Sequence, residues 1–327
     1  LYYLIVSYMH DYVIAIPSYQ REKTIKLRTL NTLKKYKIPK KIIYIFVANE
    51  KEKKIYCEHL DKGYHKNIII GELGVKNIRM FMSNHFKEGQ KICYIDDDVY
   101  SIEEAVFNAK SKKKLKEKLK LKNLKETPEN IKQWKKSCQV FVTLQSLDTF
   151  LTEGFKVLTK SKHKLFGINP VYNPFFCTIK DKKKSHISYN LKYIVGALCG
   201  VINSKIGEKR HVHDKEDYER SIRYYLLTGG TPRFNNISIV TKYYKEPGGL
   251  QSLGHRSWIK VDKSAKFLLE AYPKLSHLNT RKKKKDPKTN KPWTEIVLRD
   301  KREKKIFGKI PKINKKLIKT LEDIIYV

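Results

Sequence analysis

Three consecutive carboxylates, Asp96, Asp97 and Asp98, close the strand-like run "KICYI" in the stretch "KICYIDDDVYS" (residues 91–101). Adjacent like charges repel, so three of them at a strand end are unfavourable unless a cation sits among them. Two readings fit the residue types. One is a solvated turn, since aspartate is a common turn former. The other is a site for a hard divalent cation such as Mg²⁺ or Mn²⁺, which takes carboxylate oxygens.

Three further clusters carry residue types suited to chemistry. In "IPSYQR" (16–21) a strand ends at Pro17 and a helix follows. Backbone N–H groups at such a helix start, with Ser18, Tyr19 and Arg21 beside them, suit a phosphate or a base. The same residues also fit a plain N-cap at Ser18 and a surface charge at Arg21. "GVKNIRMF" sets Asn77 and Arg79 just ahead of the carboxylate strand. "HVHDKEDYERS" (211–221) gathers His211, His213, Glu216 and Asp217 before a helix. On a strand the two histidines would share one face, as metal ligands or as partly exposed polar residues, and no assignment rests on them. Acidic residues at a helix start also fit capping without chemistry.

The elements that must position these residues alternate over the first hundred positions. "YVIAIP", "KKIIYIFVA", "NIIIG" and "KICYI" read as strands. Between them "REKTIKLRTLNTLKKY", "EKEKKIYCEHL" and "KNIRMFMSNHF" read as helices, the first from the spacing of Ile25, Thr29, Leu30 and Leu33. That alternation implies βαβ units and a largely parallel sheet. Ligands collect at the carboxyl ends of such strands, which is where the aspartates stand. A second block, 140–272, contains "VFVTLQSLDTFLTEGFKVLTK", which reads as one long helix, and the strand-like "KYIVGALCGVI". It also holds the helix "EDYERSIRYYLLTGG", ending on a glycine pair suited to a C-cap. Residues 109–137 are lysine-dense with a thin stripe of Leu115, Leu119 and Leu124, and read as an exposed helix or hairpin inserted after the aspartates. The basic tail opens with "RKKKKDPKTNKPW" and holds one strand-like run, "TEIVL".

Composition narrows the class. With 40% hydrophobic and 11% aromatic residues in 327, the chain folds rather than staying disordered. Seventy Lys and Arg against 33 Asp and Glu give a net charge of +37. Such a field attracts polyanions, nucleic acid first among them, although an AT-rich genome produces the same lysine surplus without selection for binding. Cys57, Cys93, Cys138, Cys177 and Cys199 are odd in number and show no metal-ligand spacing. Neither a disulfide framework nor a zinc site is indicated, and a reducing, intracellular location is expected. No apolar run approaches the roughly 20 residues of a membrane span, so a soluble protein without a membrane partner is expected.

A strand ending in Asp-x-Asp after a βαβ nucleotide-binding half resembles the GT-A glycosyltransferases. More specifically, the chain is similar to the glycosyltransferases associated with base J synthesis and TET/JBP-type oxygenases in kinetoplastids, phages and large DNA viruses. The matching pieces are "IPSYQR", "YIDDDV", "FGINPVYNPFF", "YIVGALCGVI", "KEDYERSIRYYLLTGGTPRFNNI" and "YYKEPGGL", in that order over most of 12–250. The lysine-rich insert and the tail after about residue 254 match nothing in that family.

The resemblance implies an α/β fold, a GT-A-like, Rossmann-type mixed sheet, mainly parallel and flanked by helices. It implies a glycosyltransferase domain over 1–272, with the insert at 109–137 and a basic extension at 273–327. The implied activity is metal-dependent inverting transfer of glucose from UDP-glucose. The implied acceptor is the hydroxymethyl group of 5-hydroxymethyluracil or 5-hydroxymethylcytosine in double-stranded DNA, with a functional link to a TET/JBP-type oxygenase or hydroxymethylase. Asp96 and Asp98 would hold Mn²⁺ or Mg²⁺, with His255 as a third ligand or a diphosphate contact. Asp97, facing the other way on an extended strand, would touch the donor ribose or sugar. Arg21 and Arg79 would pair with the diphosphate, and Pro17, Ser18, Tyr19 and Asn77 would complete the donor site. "KEDY" resembles the xED motif of inverting GT-A enzymes, which makes Asp217 the general base and Glu216 its neighbour or alternative. Lysines of 112–136 and 281–285 would hold DNA phosphates, contacts that carry no base information. Two other functions fit the chain: transfer to a protein or glycan, and a non-catalytic basic nucleic-acid-binding protein. The intact aspartates and Asp217 argue against the last.

Overall fold

In a computed structural model of the chain, residues 10–108, 136–180, 185–241, 258–280, 294–300 and 312–319 are described, with a few single positions between and beyond them. His255, nearly all of the lysine-dense insert and most of the basic tail lie outside the described residues.

The runs richest in β-branched and aromatic residues form the centre of the sheet. Strand β1 (Tyr12–Pro17) pairs in parallel with β2 (Ile43–Val47) on one side and β4 (Lys91–Ile95) on the other. β3 (Ile68–Ile70) extends it beyond β2. Both faces of these strands are covered, as near-continuous apolar runs require. Alternate side chains go to opposite layers. Ile14, Ile16, Ile43, Ile45, Cys93 and Ile95 join Phe150, Leu151 and Phe155 in one core cluster. Ala15, Phe46, Ile92 and Tyr94 join Met82, Phe86 and Tyr224 in another.

Beyond β4 the sheet continues with β9 (Leu198–Ile202), antiparallel to both β4 and β7 (Leu165–Ile168). Then come β10 (Arg233–Phe234), parallel to β7, and β8 (Ile187–Ser188). The order β3-β2-β1-β4-β9-β7-β10-β8 makes a mixed, mainly parallel sheet flanked by helices, the α/β plan expected from the sequence. A second sheet of three antiparallel strands is built from β5 (Val99–Phe107), β6 (Gln139–Thr143) and β11 (Ile237–Thr241).

β6 corrects the reading of residues 140–160 as one helix. "QVFVT" is a β-branched and aromatic run with β5 available to pair with it, and pairing overrides its continuity with the helix beyond. That helix, Leu147–Ser161, starts at the Ser146 cap, whose Oγ accepts from the Thr149 N–H at 3.1 Å. A third core cluster joins Val212, Ile222, Tyr225 and Leu226 to Phe267, Leu268, Tyr272, Leu275 and Ile296. β12 (Ser276–Leu278) and β13 (Ile296–Leu298) pair antiparallel beside it, so residues on both sides of position 272 share one core. Among the described residues, no helix is long and apolar enough to cross a membrane.

Candidate active site

β4 ends at Ile95, and residues 96–98 turn before β5 begins at Val99. Thr29 holds this turn: its Oγ1 donates to the Asp96 carbonyl at 2.6 Å and accepts from the Val99 N–H at 3.0 Å. Thr29 lies in a π turn, Lys26–Leu30, inserted between the helical segments Glu22–Ile25 and Asn31–Lys35. Such insertions re-aim a helix side chain, frequently at a functional site. Asp97 and Asp98 are buried, at 4% and 9% exposure, which excludes the solvated turn.

Because the chain turns, the three carboxylates do not alternate as on an extended strand. Asp97 faces the end of β1, accepting from Ser18 Oγ at 2.6 Å and Arg21 Nη1 at 2.8 Å. Asp98 lies 3.6 Å from the same Nη1. On the other side, Asp96 takes Arg79 Nη2 at 2.5 Å. Both arginines expected on a diphosphate therefore hold carboxylates here. Burial raises the pKa of Asp97, and burial with repulsion from Asp96 and Asp97 lifts Asp98 to about 7. Burial opposes charge on Arg79, yet Asp96 and Glu216 keep it firmly protonated.

Three carboxylates thus share two guanidiniums, one of which also serves Glu216 at 3.7 Å. The crowded hard oxygens and the surplus of negative charge fit Mg²⁺ or Mn²⁺. Among the described residues, no group of three or more His, Cys, Asp or Glu side chains is arranged as a ready-made metal cage. An ion there would need donors from a ligand or water in addition to Asp96 and Asp98.

The loop after β1 is locked from below. Ser18 N–H extends the sheet to the Phe46 carbonyl at 2.9 Å. Ser18 is not a helix cap, since the helix begins at Glu22 with Arg21 at its N-cap position, and the single hydroxyl proton of Ser18 goes to Asp97. The Tyr56 hydroxyl, 2.6 Å from Ser18 Oγ, must then donate to it, while accepting from the Arg21 N–H at 3.1 Å. Gln20 sits at φ 52° with its N–H on Glu52 Oε2 at 2.8 Å. Tyr56 and Glu52 escape sequence reading because they lie in the lysine-rich helix Glu50–His59, which looks like a solvated surface element. Far along the chain, Gly249 N–H reaches the Tyr19 carbonyl at 2.9 Å, and Arg21 Nη2 lies 3.4 Å from the Gly248 carbonyl. A Cβ on Gly248 would stand 2.4 Å from the Gln20 carbonyl oxygen, so this approach requires glycine. "IPSYQR" and "YYKEPGGL" thereby meet. Asn77, in the first turn of the helix Val75–His85, instead donates to the Leu73 carbonyl at 3.1 Å.

The helix Glu216–Thr228 carries the second half of the site. Asp217 Oδ2 accepts from Gly196 N–H at 2.9 Å and from the Tyr193 hydroxyl at 3.3 Å, and Oδ1 lies 3.5 Å from Arg220 Nη2. A Cβ on Gly196 would come within 2.5 Å of Asp217 Oδ1. "KYIVGALCGVI" becomes strand only from Leu198, the partner of Ile95 at the end of β4, so Gly196 lies just outside it. The next residue, Ala197, accepts the Asp96 N–H at 3.1 Å. Adjacent residues thus tie Asp96 and Asp217 together, and Arg79 forms a second tie between Asp96 and Glu216.

The two acids of "KEDY" diverge in character. Burial opposes ionisation of Glu216, but Arg210, Arg220 and Arg79 drive its pKa well below the carboxylate range. Burial and the charge of Glu216 push Asp217 above that range. Glu216 is held ionised in an ion network, with Arg210 Nε 3.1 Å from its Oε2. Asp217, its side chain 21% exposed, is the member of the pair whose protonated form is favoured. His211 Nδ1 lies 2.5 Å from Glu219 Oε1, so that ring is committed to a carboxylate. Arg210 and Arg220 went unassigned in the sequence, although Asp217–Arg220 and Glu216–Arg220 have the spacings of helix ion pairs.

No protein-family model matches the chain, and no curated protein does. Among solved structures, it is similar to S. aureus TarS 1–349, with 14% identity and a TM-score of 0.36. That likeness covers 70% of this chain and 59% of the TarS chain, so the match spans less than two thirds of TarS 1–349. A likeness this distant carries no argument about activity, and the site stands on its own geometry.

Proposed function

We propose that this protein is a metal-dependent, inverting glycosyltransferase using a UDP-sugar, glucose by resemblance, with DNA bearing a hydroxymethylpyrimidine as acceptor. One observation carries the reading. A turn of crowded carboxylates at a strand's carboxyl end is tied, through Arg79 and residues 196–197, to Asp217, a carboxyl whose pKa is raised. Asp96 and Asp98 would hold the ion, and bound there it would supply charge neutralisation for a departing diphosphate.

Asp217 takes the proton of the acceptor hydroxyl as the new bond forms, a role suited to a pKa raised toward the working range. Gly196 N–H and the Tyr193 hydroxyl fix its carboxylate, leaving part of it open to an incoming alcohol. Attack from the side opposite the leaving group inverts the anomeric carbon. Glu216 keeps Arg79 and Arg210 in place and takes no proton. The net charge of +37 supports a nucleic acid as acceptor. The resemblance supports hydroxymethyluracil or hydroxymethylcytosine, whose primary alcohol an oxygenase or hydroxymethylase would supply.

The test is incubation with UDP-glucose, Mn²⁺ and duplexes containing 5-hydroxymethyluracil, 5-hydroxymethylcytosine or unmodified pyrimidines, followed by digestion and mass spectrometry of the nucleosides. A hexose adduct on a hydroxymethylated base alone is expected. Modification of a peptide or glycan with none on DNA would overturn the acceptor. Undiminished transfer in excess EDTA would overturn the metal.

A further inference from the structure

β5 leads away from the aspartate turn into a second surface. Its register with β6 pairs Glu103 with Thr143, Ala105 with Phe141 and Phe107 with Gln139, which places these side chains on one face. Gln139 Nε2 donates to the carbonyls of Pro174 and Cys177 at 2.8 and 3.2 Å, clamping the turn Pro174–Phe176 against that face. Tyr172 stacks on Phe141 with ring centroids 4.7 Å apart and planes 13° from parallel. Its hydroxyl is anchored on Glu103 Oε2 at 2.5 Å. Phe141 and Tyr172 are therefore fixed before anything binds, yet Tyr172 is 51% exposed, and Phe176, edge-on to Phe175 with centroids 5.3 Å apart, is 59% exposed. Soluble proteins rarely leave contiguous aromatic surface open without a use for it.

The surroundings select the occupant. Lys136 Nζ lies 5.4 Å from the Phe175 ring centroid, while Lys180 pairs at 3.8 Å with Glu104, which alternates to the other face of β5. Residues 109–135, which join β5 to β6 in sequence, carry eleven lysines against Glu117, Glu126 and Glu129. Flat, pre-set rings within a cationic field match the two halves of a nucleotide strand, stacking faces and phosphates. An apolar peptide would use the rings and leave the charge unanswered. From Asp98 to Ala105 the chain advances seven residues, roughly 23 Å along the strand. A strand presenting its target at the aspartates reaches the rings a few nucleotides away.

We propose that Phe141, Tyr172 and Phe176 form a platform that stacks unpaired bases of the acceptor nucleic acid, its phosphates held by the neighbouring lysines. This rests on the nucleic-acid reading above and adds to it that the protein engages single-stranded bases.

Fluorescence anisotropy with a labelled oligothymidine, and with a duplex of equal length, tests it without reference to transfer. The Tyr172→Ala/Phe176→Ala protein should bind oligothymidine at least about tenfold more weakly, with an unchanged melting temperature because both side chains are exposed. Tyr172→Phe, which keeps the ring and loses the bond to Glu103, should bind within about twofold of the parent protein. Lys136→Gln should weaken both probes and lower the salt slope by about 1. Full-strength oligothymidine binding by the double variant, or parent protein that binds duplex alone, overturns the platform and leaves the acceptor reading standing. Parent protein that binds neither probe overturns the acceptor reading and the platform with it.

Discussion

At the aspartate turn, Asp96, Asp97 and Asp98 share Arg21 and Arg79. At the helix start beside it, Glu208 and Glu216 are both engaged by Arg210, at 2.8 and 3.1 Å, and Glu219 is paired with His211. Both clusters are buried and acidic, but their charge balances differ. The second brings its own cations, and Glu216 and Glu219 titrate below the ordinary range. The first is short of cations, and Asp98 titrates far above it. Balance, more than residue type, separates a self-sufficient ion network from a cluster left with surplus negative charge. Asp217 lies at the seam, close enough to Glu216 to be raised and close enough to Asp96 to share its backbone support.

The largest effect should come from the seam. Asp217→Asn keeps the bonds to Gly196 and Tyr193 available but cannot take a proton, so transfer should fall about 10²–10⁴-fold with UDP binding unchanged. In the parent protein, the rate should climb from mildly acid to mildly alkaline pH, because the base works deprotonated and its pKa is raised. A variant that retains half the parent rate would remove Asp217 from the chemistry.

Asp98→Asn probes the cation-poor cluster. Transfer should drop about a hundredfold or more, the scale of losing a major electrostatic contribution to a transition state. Without metal, however, the variant should melt higher than the parent near pH 8, since one of three crowded charges is gone. Normal activity, or a lower melting temperature, would mean that the cluster is already balanced.

What was legible in the sequence follows from range. The alternation of strands and helices up to Ile95 was readable because each apolar run there is bounded by turn and charge signals, and the aspartates stand out as a local anomaly. β6 was misread because "QVFVT" is continuous with an apolar helix and its strand character depends on β5, whose partner cannot be seen locally. The role of Arg79 as a bridge between Asp96 and Glu216, and of Tyr56 beneath Ser18, depends on contacts between distant segments that no spacing encodes. The turn at 96–98, held by Thr29, sent Asp97 toward Arg21 where strand alternation would have sent it elsewhere.

Arg210→Met should break the self-sufficient cluster. It strands Glu208 as a buried charge and leaves Glu216 to Arg79 and Arg220 alone, which costs about 3–5 kcal/mol. Chemical denaturation measures this directly. A cost under about 1 kcal/mol would show that the glutamates need no built-in partner and would erase the contrast between the clusters.

The smallest effect sharpens the contrast most, because pH controls it. Asp98 titrates at about 7 in the fold against about 3.9 in an unfolded chain. Between those values the folded state binds more protons than the unfolded one, so metal-free stability falls as pH rises through that window. A divalent ion bound by Asp96 and Asp98 replaces the proton and offsets the repulsion, but only where Asp98 is free to ionise. Mn²⁺ or Mg²⁺ should therefore raise the melting temperature by a few degrees near pH 8, corresponding to at most about 2.7 kcal/mol at a hundredfold excess over Kd. Near pH 5 the gain should vanish, and in Asp98→Asn it should be absent at both. An equal gain at the two pH values would place the ion away from Asp98, and a gain that survives Asp98→Asn would place it outside the aspartate turn altogether.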